Sequence, residues 1–306
     1  MFLRARAEGI DFELLDPDAS ILRDSLPFAG YEPAVCALLK RALTRPDAIF
    51  LDVGALYGFF TVWASKTGAA EVVAFEPGHR YAEVLDYNLR LNGCEGVRVE
   101  RRALSDRNGT GSLAARTLSP DPGPKMGRPY VHGLLNHLRR SSPTVGERIV
   151  AAEKGGRDQL GPWLSAAIAE KLGLFAQGGD QDEGDVALER LDDWVKRTGI
   201  TPTVVKIDVH GGEVAVVRGM PELLGSQPLE VVIEVHTSDL LVTGSHDELL
   251  THLEAAELAV FEVKGFRSRR AQLVPLSGSA RHRFCDQETW TASELYFMRC
   301  LYARRP

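Results

Sequence analysis

The chain has 306 residues, of which 44% are hydrophobic and 25% charged, and its formal net charge is -6. This composition is typical of a globular protein and excludes a disordered or fibrous chain. The net negative charge gives no general attraction to nucleic acid or to an anionic membrane. The four cysteines lack C-x-x-C spacing, and Met1 to Ser20 contains no apolar segment. We therefore expect a cytoplasmic protein with no signal peptide and no membrane-spanning helix.

The first part of the chain differs in pattern from the rest. Residues 1–45 are expected to form an N-terminal arm, with a short strand near Phe12 to Leu15, and a helix over Tyr31 to Leu43. Residues 46–306 are expected to form the main domain. Regular patterning stops over residues 107–185, which predicts an insertion that serves as a lid or substrate wall, or that is partly disordered.

The stretch from Phe50 to Phe60 combines a buried-strand pattern, a glycine turn and the start of a helix. A parallel strand followed by such a turn brings backbone groups to the carboxyl edge of a sheet, where nucleotide-like ligands bind. The glycine turn, Gly54 to Gly58, has only two glycines, four positions apart. This looser turn suits a ligand without a pyrophosphate, such as S-adenosylmethionine.

A second buried-strand pattern, Val72 to Phe75, ends at Glu76, which lies 22 residues after Gly54. An acid at this place can accept hydrogen bonds from ribose hydroxyls, although it can also cap the next helix. Ala103 to Asp106 follows the third strand and is expected to border the adenine. The predicted cofactor-binding residues are Asp52, Gly54, Ala55, Tyr57, Gly58, Glu76, Ala103, Leu104, Ser105 and Asp106.

Strand and helix patterns alternate along the remaining chain. They predict helices over Tyr81–Asn92, Leu188–Arg197 and His246–Glu257, a helix from Val214, and strands over Val97–Glu100, Val204–Val209, Leu229–His236, Ala259–Val263 and Glu294–Leu301. Five strand–helix units that close with a strand pair predict an α/β fold. The layout is that of a Rossmann-like class I methyltransferase, a seven-stranded doubly wound sheet with a final antiparallel strand pair.

Several short motifs occur in a consistent order. They are Phe50–Ala55 with Gly58, Phe75–Pro77, Asn88 and Asn92, Leu191–Trp194, and Lys206–Glu213 with Gly219. Together they resemble the FkbM-type S-adenosylmethionine-dependent methyltransferases, over about Tyr31 to His236 without the insertion. The resemblance implies O-methyl transfer to a hydroxyl of a small molecule, often a natural product or a glycan. The chain departs from the family pattern in two places. Leu56-Tyr57 stands where the family usually has Asn followed by a small aliphatic residue, and His210 stands where it usually has Glu.

Three residues around the end of the fourth strand are candidates for catalysis. Asp208 is expected to face the reacting methyl group, although it could instead cap the following helix. His210 suits a general base because its ordinary pKa lies near neutrality, but a loop histidine is as often exposed. Glu213 lies in the first turn of a helix, where the macrodipole alone also favours an acid.

Other interpretations stay open. Asp208, Glu234 and His236 end strands at one edge and could bind a divalent ion, but the resemblance calls for none and no metal is predicted. The arginines of Arg267 to Arg283 are expected to be solvated. A nucleic-acid methyltransferase would need Asp/Asn-Pro-Pro-aromatic after the fourth strand, which is absent. A dehydrogenase or a catalytically silent partner would share the layout. A hydroxylated small molecule is the expected partner, and no oligomeric state is predicted.

Overall fold

A computed structural model describes residues 2–17, 31–114, 117–119, 184–226, 228–238, 241–286 and 298–305. The strands are β1 (Phe2–Ala7), β2 (Ile10–Leu15), β3 (Ile49–Val53), β4 (Glu71–Phe75), β5 (Arg98–Glu100), β6 (Ala103–Leu104), β7 (Gly109–Ala114), β8 (Thr117–Ser119), β9 (Gly184–Glu189), β10 (Val204–Ile207), β11 (Glu230–His236), β12 (Ala259–Lys264), β13 (Gln272–Pro275) and β14 (Met298–Arg304). The helices are α1 (Pro33–Leu43), α2 (Phe59–Thr67), α3 (His79–Leu91), α4 (Leu191–Thr198), α5 (Glu213–Arg218), α6 (Pro221–Ser226), α7 (His246–Ala255) and α8 (Gly278–Cys285). No helix among these residues is long and apolar enough to cross a bilayer.

Among the described residues, the main sheet has eight strands in the order β13-β12-β14-β11-β10-β3-β4-β5. The strands from β11 to β5 run parallel, whereas β14, β12 and β13 pair antiparallel. The predicted final antiparallel pair, β12 with β14, is confirmed. The prediction of seven strands is wrong by one, because β13 adds an edge strand beside β12. Its side chains are mostly exposed, so no alternation of apolar and polar residues marks it.

Apolar side chains cover both faces of this sheet. Alternate strand residues belong to different cores, as Phe50 and Leu51 of β3 show. Side chains of α1, α2 and α3 fill the first core, and those of α4 to α8 fill the second. Helices on both faces of a mostly parallel sheet make the fold doubly wound, with its carboxyl edge open to ligands.

The N-terminal strands pack on the first core. β1 and β2 form an antiparallel hairpin, so the strand expected near Phe12 to Leu15 is present but has an unexpected partner. The Phe12 ring meets the Phe59 ring edge-on at 5.1 Å. The Asn88 amide group of α3 donates to the carbonyl oxygens of Leu15 at 3.0 Å and of Tyr57 at 2.8 Å. One side chain therefore joins the hairpin to the glycine turn.

The described ends of the insertion are strands. β7 and β8 form a four-stranded sheet with β6 and β9, and β7 pairs antiparallel with β9. The helix expected from Leu188 begins only at Leu191, because Leu188 and Glu189 pair with β6. The proposed lid concerns mostly residues 120–183, which lie outside the described residues. The division into an arm, a main domain and an insertion stays a prediction.

Asp192, in α4, holds the first turn of α6. Its Oδ1 accepts the N–H of Leu223 and its Oδ2 that of Glu222, both at 2.9 Å. We expect Asp192→Ala to lower the free energy of unfolding, measured in urea, by about 1–2 kcal/mol, as for a lost helix cap. Asp193→Ala is the matched control, since its carboxylate bonds only an exposed amide, that of Asn108, among the contacts described for it. Equal losses in both variants would contradict this role.

Candidate functional site

The glycine turn lies against the chain segment that follows β10. Gly54 has a φ of +85°, and a Cβ there would lie 1.9 Å from the carbonyl oxygen of Asp208. Gly58 has a φ of +86°, and a Cβ there would lie 2.3 Å from Cδ1 of Leu85. Both the backbone conformation and the close approach require glycine at these positions. The predicted cofactor turn and the predicted catalytic Asp208 are therefore in direct contact.

Three consecutive amides of this turn are tied to the end of β4. The N–H groups of Gly54 and Ala55 donate to the carbonyl oxygen of Phe75, at 3.0 and 3.1 Å. The N–H of Leu56 donates to Oε2 of Glu76 at 2.8 Å. Some carbonyl oxygens of the turn are engaged as well: that of Ala55 accepts the N–H of Gly58 at 2.8 Å, and that of Tyr57 accepts the Asn88 amide. A carbonyl oxygen has two lone pairs, so the turn still offers acceptors that suit a donor such as an ammonium group.

Glu76 is buried at the carboxyl end of β4. Besides the turn, its carboxylate accepts the N–H of Gly78 through Oε1 at 2.8 Å. Gly78 precedes α3, so the carboxylate also acts at the start of this helix, as the alternative interpretation expected. Each carboxylate oxygen has a second lone pair, which leaves Glu76 able to accept further hydrogen bonds.

Asp52 and Tyr57 are almost completely buried. Oδ2 of Asp52 accepts a hydrogen bond from Oγ1 of Thr61 at 2.5 Å, and burial raises the pKa of the Asp52 carboxyl. The Tyr57 side chain is fully buried, with its ring 5.5 Å from that of Tyr81. Tyr57 therefore shapes the turn from within the core and is not itself exposed to a ligand.

The segment from Ala103 to Asp106 leads from the main sheet into the smaller one. Ser105 is fully buried, and its carbonyl oxygen lies so close to Gly219 that a Cβ there would be 2.0 Å away. Oδ2 of Asp106 lies 3.5 Å from Nη1 of Arg218. This segment thus packs against α5, and its proximity to an adenine stays a prediction.

Asp208 follows β10 directly and is paired with a buried lysine. Nζ of Lys206 donates to Oδ2 of Asp208 at 3.2 Å, and it lies 4.5 Å from the centre of the Phe60 ring. Burial alone would raise the pKa of Asp208, but the ammonium group outweighs burial and holds this pKa well below its usual range. Burial would likewise lower the pKa of Lys206, but nearby carboxylates, Asp208 first, raise it.

Glu213 forms a fully buried pair with His236. Its Oε1 lies 2.7 Å from Nδ1 of His236 and accepts the N–H of Gly211 at 2.9 Å. Burial opposes the charged form of His236, but Glu213 outweighs it and raises the pKa of the imidazole. The pairing of Glu213 with His236 was not predicted, since 23 residues separate them. The available signal was that His236 ends a strand at the same edge.

Asp208, His210 and His236 form what we call the polar cluster. One ligand atom from each lies within 4.8 Å of those of the other two, and the two imidazole rings are 4.9 Å apart. His210 has a φ of 53°, an uncommon conformation for a residue with a side chain. The structure thus brings together two of the three predicted catalytic residues, and the third, Glu213, reaches the cluster through His236.

A second group of charges lies beside the cluster. The carboxyl groups of Glu32 and Glu234 lie close enough to interact, and burial raises the pKa of both. Arg267, which was expected to be solvated, is buried near both carboxyl groups. Glu234 is therefore engaged with Glu32 and is not part of the three-residue group that the structure forms.

Comparison with known proteins places this arrangement in a family. The family model described as the methyltransferase FkbM domain matches residues 52–268. The chain belongs to the FkbM methyltransferase family. The matched residues carry an S-adenosylmethionine-dependent methyltransferase domain, for which S-adenosylmethionine is the cofactor.

Relatives of this FkbM methyltransferase come from several organisms. It is 28% identical over 221 residues to the AMB antimetabolite synthetase AmbE of Pseudomonas aeruginosa, an alignment that covers 68% of this chain and 9% of the synthetase. It is 28% identical over 197 residues to the methyltransferase sdnD of Sordaria araneosa, covering 61% of this chain and 66% of that protein. The crystal structure of an FkbM methyltransferase from Methylobacillus flagellatus aligns with a TM-score of 0.43 at 12% identity, covering 95% of this chain and 56% of the other. The chain spans less than two-thirds of each of these proteins.

Proposed function

We propose that this FkbM methyltransferase transfers a methyl group to a hydroxyl oxygen of a small molecule, of the natural-product or glycan type, in the cytoplasm. The observation that carries the proposal is the contact between Gly54 and the carbonyl oxygen of Asp208. It puts the cofactor turn and the polar cluster at one edge of the sheet, so donor and acceptor would meet there. One relative, AmbE, is named as an antimetabolite synthetase, which supports a small-molecule acceptor.

The cofactor side of the site fits S-adenosylmethionine. Gly54 and Gly58 fix the path of the turn, since a Cβ at either would collide with Asp208 or Leu85, and the carbonyl oxygens of the glycine turn suit the ammonium group of the methionine part. Glu76 would accept hydrogen bonds from the ribose hydroxyls through its second lone pairs, and Ala103 to Asp106 would border the adenine. When bound, the cofactor supplies a methyl group that its sulfonium has already activated.

The polar cluster would receive the acceptor. The hydroxyl oxygen of the acceptor would bond to the methyl carbon as the carbon–sulfur bond breaks, and the cluster would take up the hydroxyl proton. Because the methyl group is already activated, the main task of the chain is to orient donor and acceptor, which contributes about 7–11 kcal/mol in well-aligned reactions. Lys206 supports this task, since it holds one oxygen of Asp208 in place.

Product analysis tests this proposal directly. The chain is incubated with isotope-labelled S-adenosylmethionine and a panel of hydroxylated acceptors, and the products are analysed by mass spectrometry. We expect a methyl ether from at least one acceptor, and little product from Asp208→Asn. Label found only on nitrogen or carbon, or no transfer to any hydroxyl, would refute O-methylation.

The role of Glu76 gives a separate prediction. We expect Glu76→Ala to weaken the binding of S-adenosylhomocysteine, measured by calorimetry, roughly tenfold or more, the scale of a lost hydrogen bond to a charged group. Glu71→Ala, at the start of the same strand, is the control and should bind normally. Because Glu76 also holds the turn, the melting temperature of each variant is compared with the native value. Native affinity in a folded Glu76→Ala variant would rule out the ribose role.

A further inference from the structure

Two polar atoms of the polar cluster lack the partners that buried groups normally have. Nε2 of His236 and Oδ1 of Asp208 are both inaccessible to solvent, and neither has a hydrogen-bond partner among the described residues. An unsatisfied buried polar atom costs about 1–3 kcal/mol. Two of them in one group whose ligand atoms lie within 4.8 Å of each other indicate a missing ligand that both can bind.

The other atom of each of these side chains is already held. Nδ1 of His236 is bonded to the carboxylate of Glu213 at 2.7 Å, and Oδ2 of Asp208 to the ammonium of Lys206 at 3.2 Å. With Nδ1–H donating to a carboxylate, Nε2 carries the lone pair that binds a metal. A carboxylate on the far nitrogen of a ligating histidine is the usual support of a metal site, since it fixes both the tautomer and the ring orientation.

We propose that Asp208, His210 and His236 bind one divalent transition-metal ion, and that Glu213 orients His236 from outside the site. Two imidazole nitrogens and one carboxylate oxygen favour ions such as zinc, cobalt or iron(II) over magnesium and calcium, which prefer oxygen ligands. Three protein ligands leave coordination positions for an oxygen of a bound molecule, as in catalytic metal sites. The ligand set differs from the one considered from sequence, because His210 takes the place of Glu234.

The carboxyl groups around the cluster can accommodate a cation despite the nearby lysine. They are Asp52, Asp208, Glu213, Glu32 and Glu234, against two side-chain cations, Lys206 and Arg267. Burial raises the pKa of Asp52, Glu32 and Glu234, and a bound cation would favour their charged form. The lysine also occupies only one oxygen of Asp208, which leaves Oδ1 for the ion.

The role of the ion rests on the proposed function, whereas its binding does not. With an ion bound, the cluster side chains would serve as its ligands and no longer as the proton acceptor. The acceptor hydroxyl would coordinate the ion through its oxygen and would lose its proton to solvent more easily than a free hydroxyl. The oxygen would then be held as an anion next to the cofactor turn. An acceptor with a second oxygen beside the reacting hydroxyl, such as a diol or a hydroxy acid, would fill two coordination positions and is the substrate class we infer.

Metal binding is measured on the full chain after dialysis against EDTA and removal of the chelator. Zinc and cobalt are titrated by calorimetry, and cobalt is also followed through its visible absorption, which reports ligand geometry. We expect one ion per chain at micromolar or lower concentration, and at least about tenfold weaker binding in His210→Gln, Asp208→Asn and His236→Gln. His252→Gln, which removes a partly exposed histidine of α7, is the matched control. His210 is only partly buried, so its variant remains informative if the His236 variant does not fold.

S-adenosylhomocysteine is titrated into the same samples, so that the two proposals can fail separately. Absence of zinc and cobalt binding in a native chain that binds S-adenosylhomocysteine would overturn the metal site and leave the methyltransferase proposal intact. Binding of magnesium alone, or equal zinc affinity in the native chain and all three cluster variants, would overturn it as well. Metal binding without S-adenosylhomocysteine binding would instead count against the proposed cofactor site.

Discussion

Replacing Gly54 by alanine is expected to lower the free energy of unfolding by about 2–5 kcal/mol and to abolish measurable binding of S-adenosylhomocysteine. The left-handed conformation, with φ at +85°, costs a residue with a Cβ roughly 1–2 kcal/mol. The new Cβ would also lie 1.9 Å from the carbonyl oxygen of Asp208, and overpacking costs a further 1–3 kcal/mol or so. Neither side can move freely, since the N–H of Asp208 donates to Val53 and that of Gly54 to Phe75.

Gly68→Ala separates these two costs. Gly68 has a φ of +94° at the end of α2, but a Cβ there would have no atom within 4 Å. This variant should therefore lose only the conformational part, about 1 kcal/mol, and keep its cofactor affinity. Both variants are compared by urea unfolding and by calorimetry. Similar losses in both would show that the contact with Asp208 is unimportant.

Lys206→Met is expected to lower the free energy of unfolding by about 3–5 kcal/mol, the usual effect of removing one partner from a buried charge pair. The ammonium group is almost fully buried, and the carboxyl groups of Asp208, Glu32, Asp52 and Glu234 all act on it. Methionine keeps much of the length and apolar character of the side chain, so the loss would come from the missing charge. Urea unfolding measures it.

Two further variants isolate the role of this charge. Lys196→Met removes a lysine whose only described ion-pair partner is Glu222, with both side chains largely exposed, and should leave stability nearly unchanged. Lys206→Met combined with Glu234→Gln removes one positive and one potential negative charge, and should recover part of the lost stability. A double variant as unstable as the sum of the two single ones would show that the two groups act independently.

Much of the site follows from one property of parallel sheets, that consecutive strands end at the same edge. Asp208 and His210 follow one strand and Glu76 another, so their positions at this edge could be predicted from chain order alone. Chain order alone does not predict the contact of Gly54 with Asp208, since this contact depends on β10 lying beside β3. No local pattern states which strands are neighbours.

The pairing of Glu213 with His236 could not be predicted for a related reason. Glu213 opens α5 and His236 ends β11, so their contact depends on how a helix packs over a strand. The helix macrodipole alone accounted for an acid in the first turn of α5, so nothing in the sequence indicated a partner for Glu213. The strand β13 was missed because its side chains face solvent. Within the insertion, β7 was missed because it pairs with β9 across a long stretch of chain, and β8 pairs with β7.

The three hydrogen bonds of Asn88 have a consequence for how the chain responds to its cofactor. The amide accepts from and donates to Leu15 and also donates to the carbonyl of Tyr57. Docking of the hairpin and the geometry of the glycine turn are therefore linked equilibria with one shared side chain. Linkage is reciprocal, so if the docked hairpin strengthens cofactor binding, the bound cofactor stabilises the docked hairpin by the same coupling free energy. We therefore expect the amide hydrogens of β1 and β2 to exchange more slowly when the cofactor is bound.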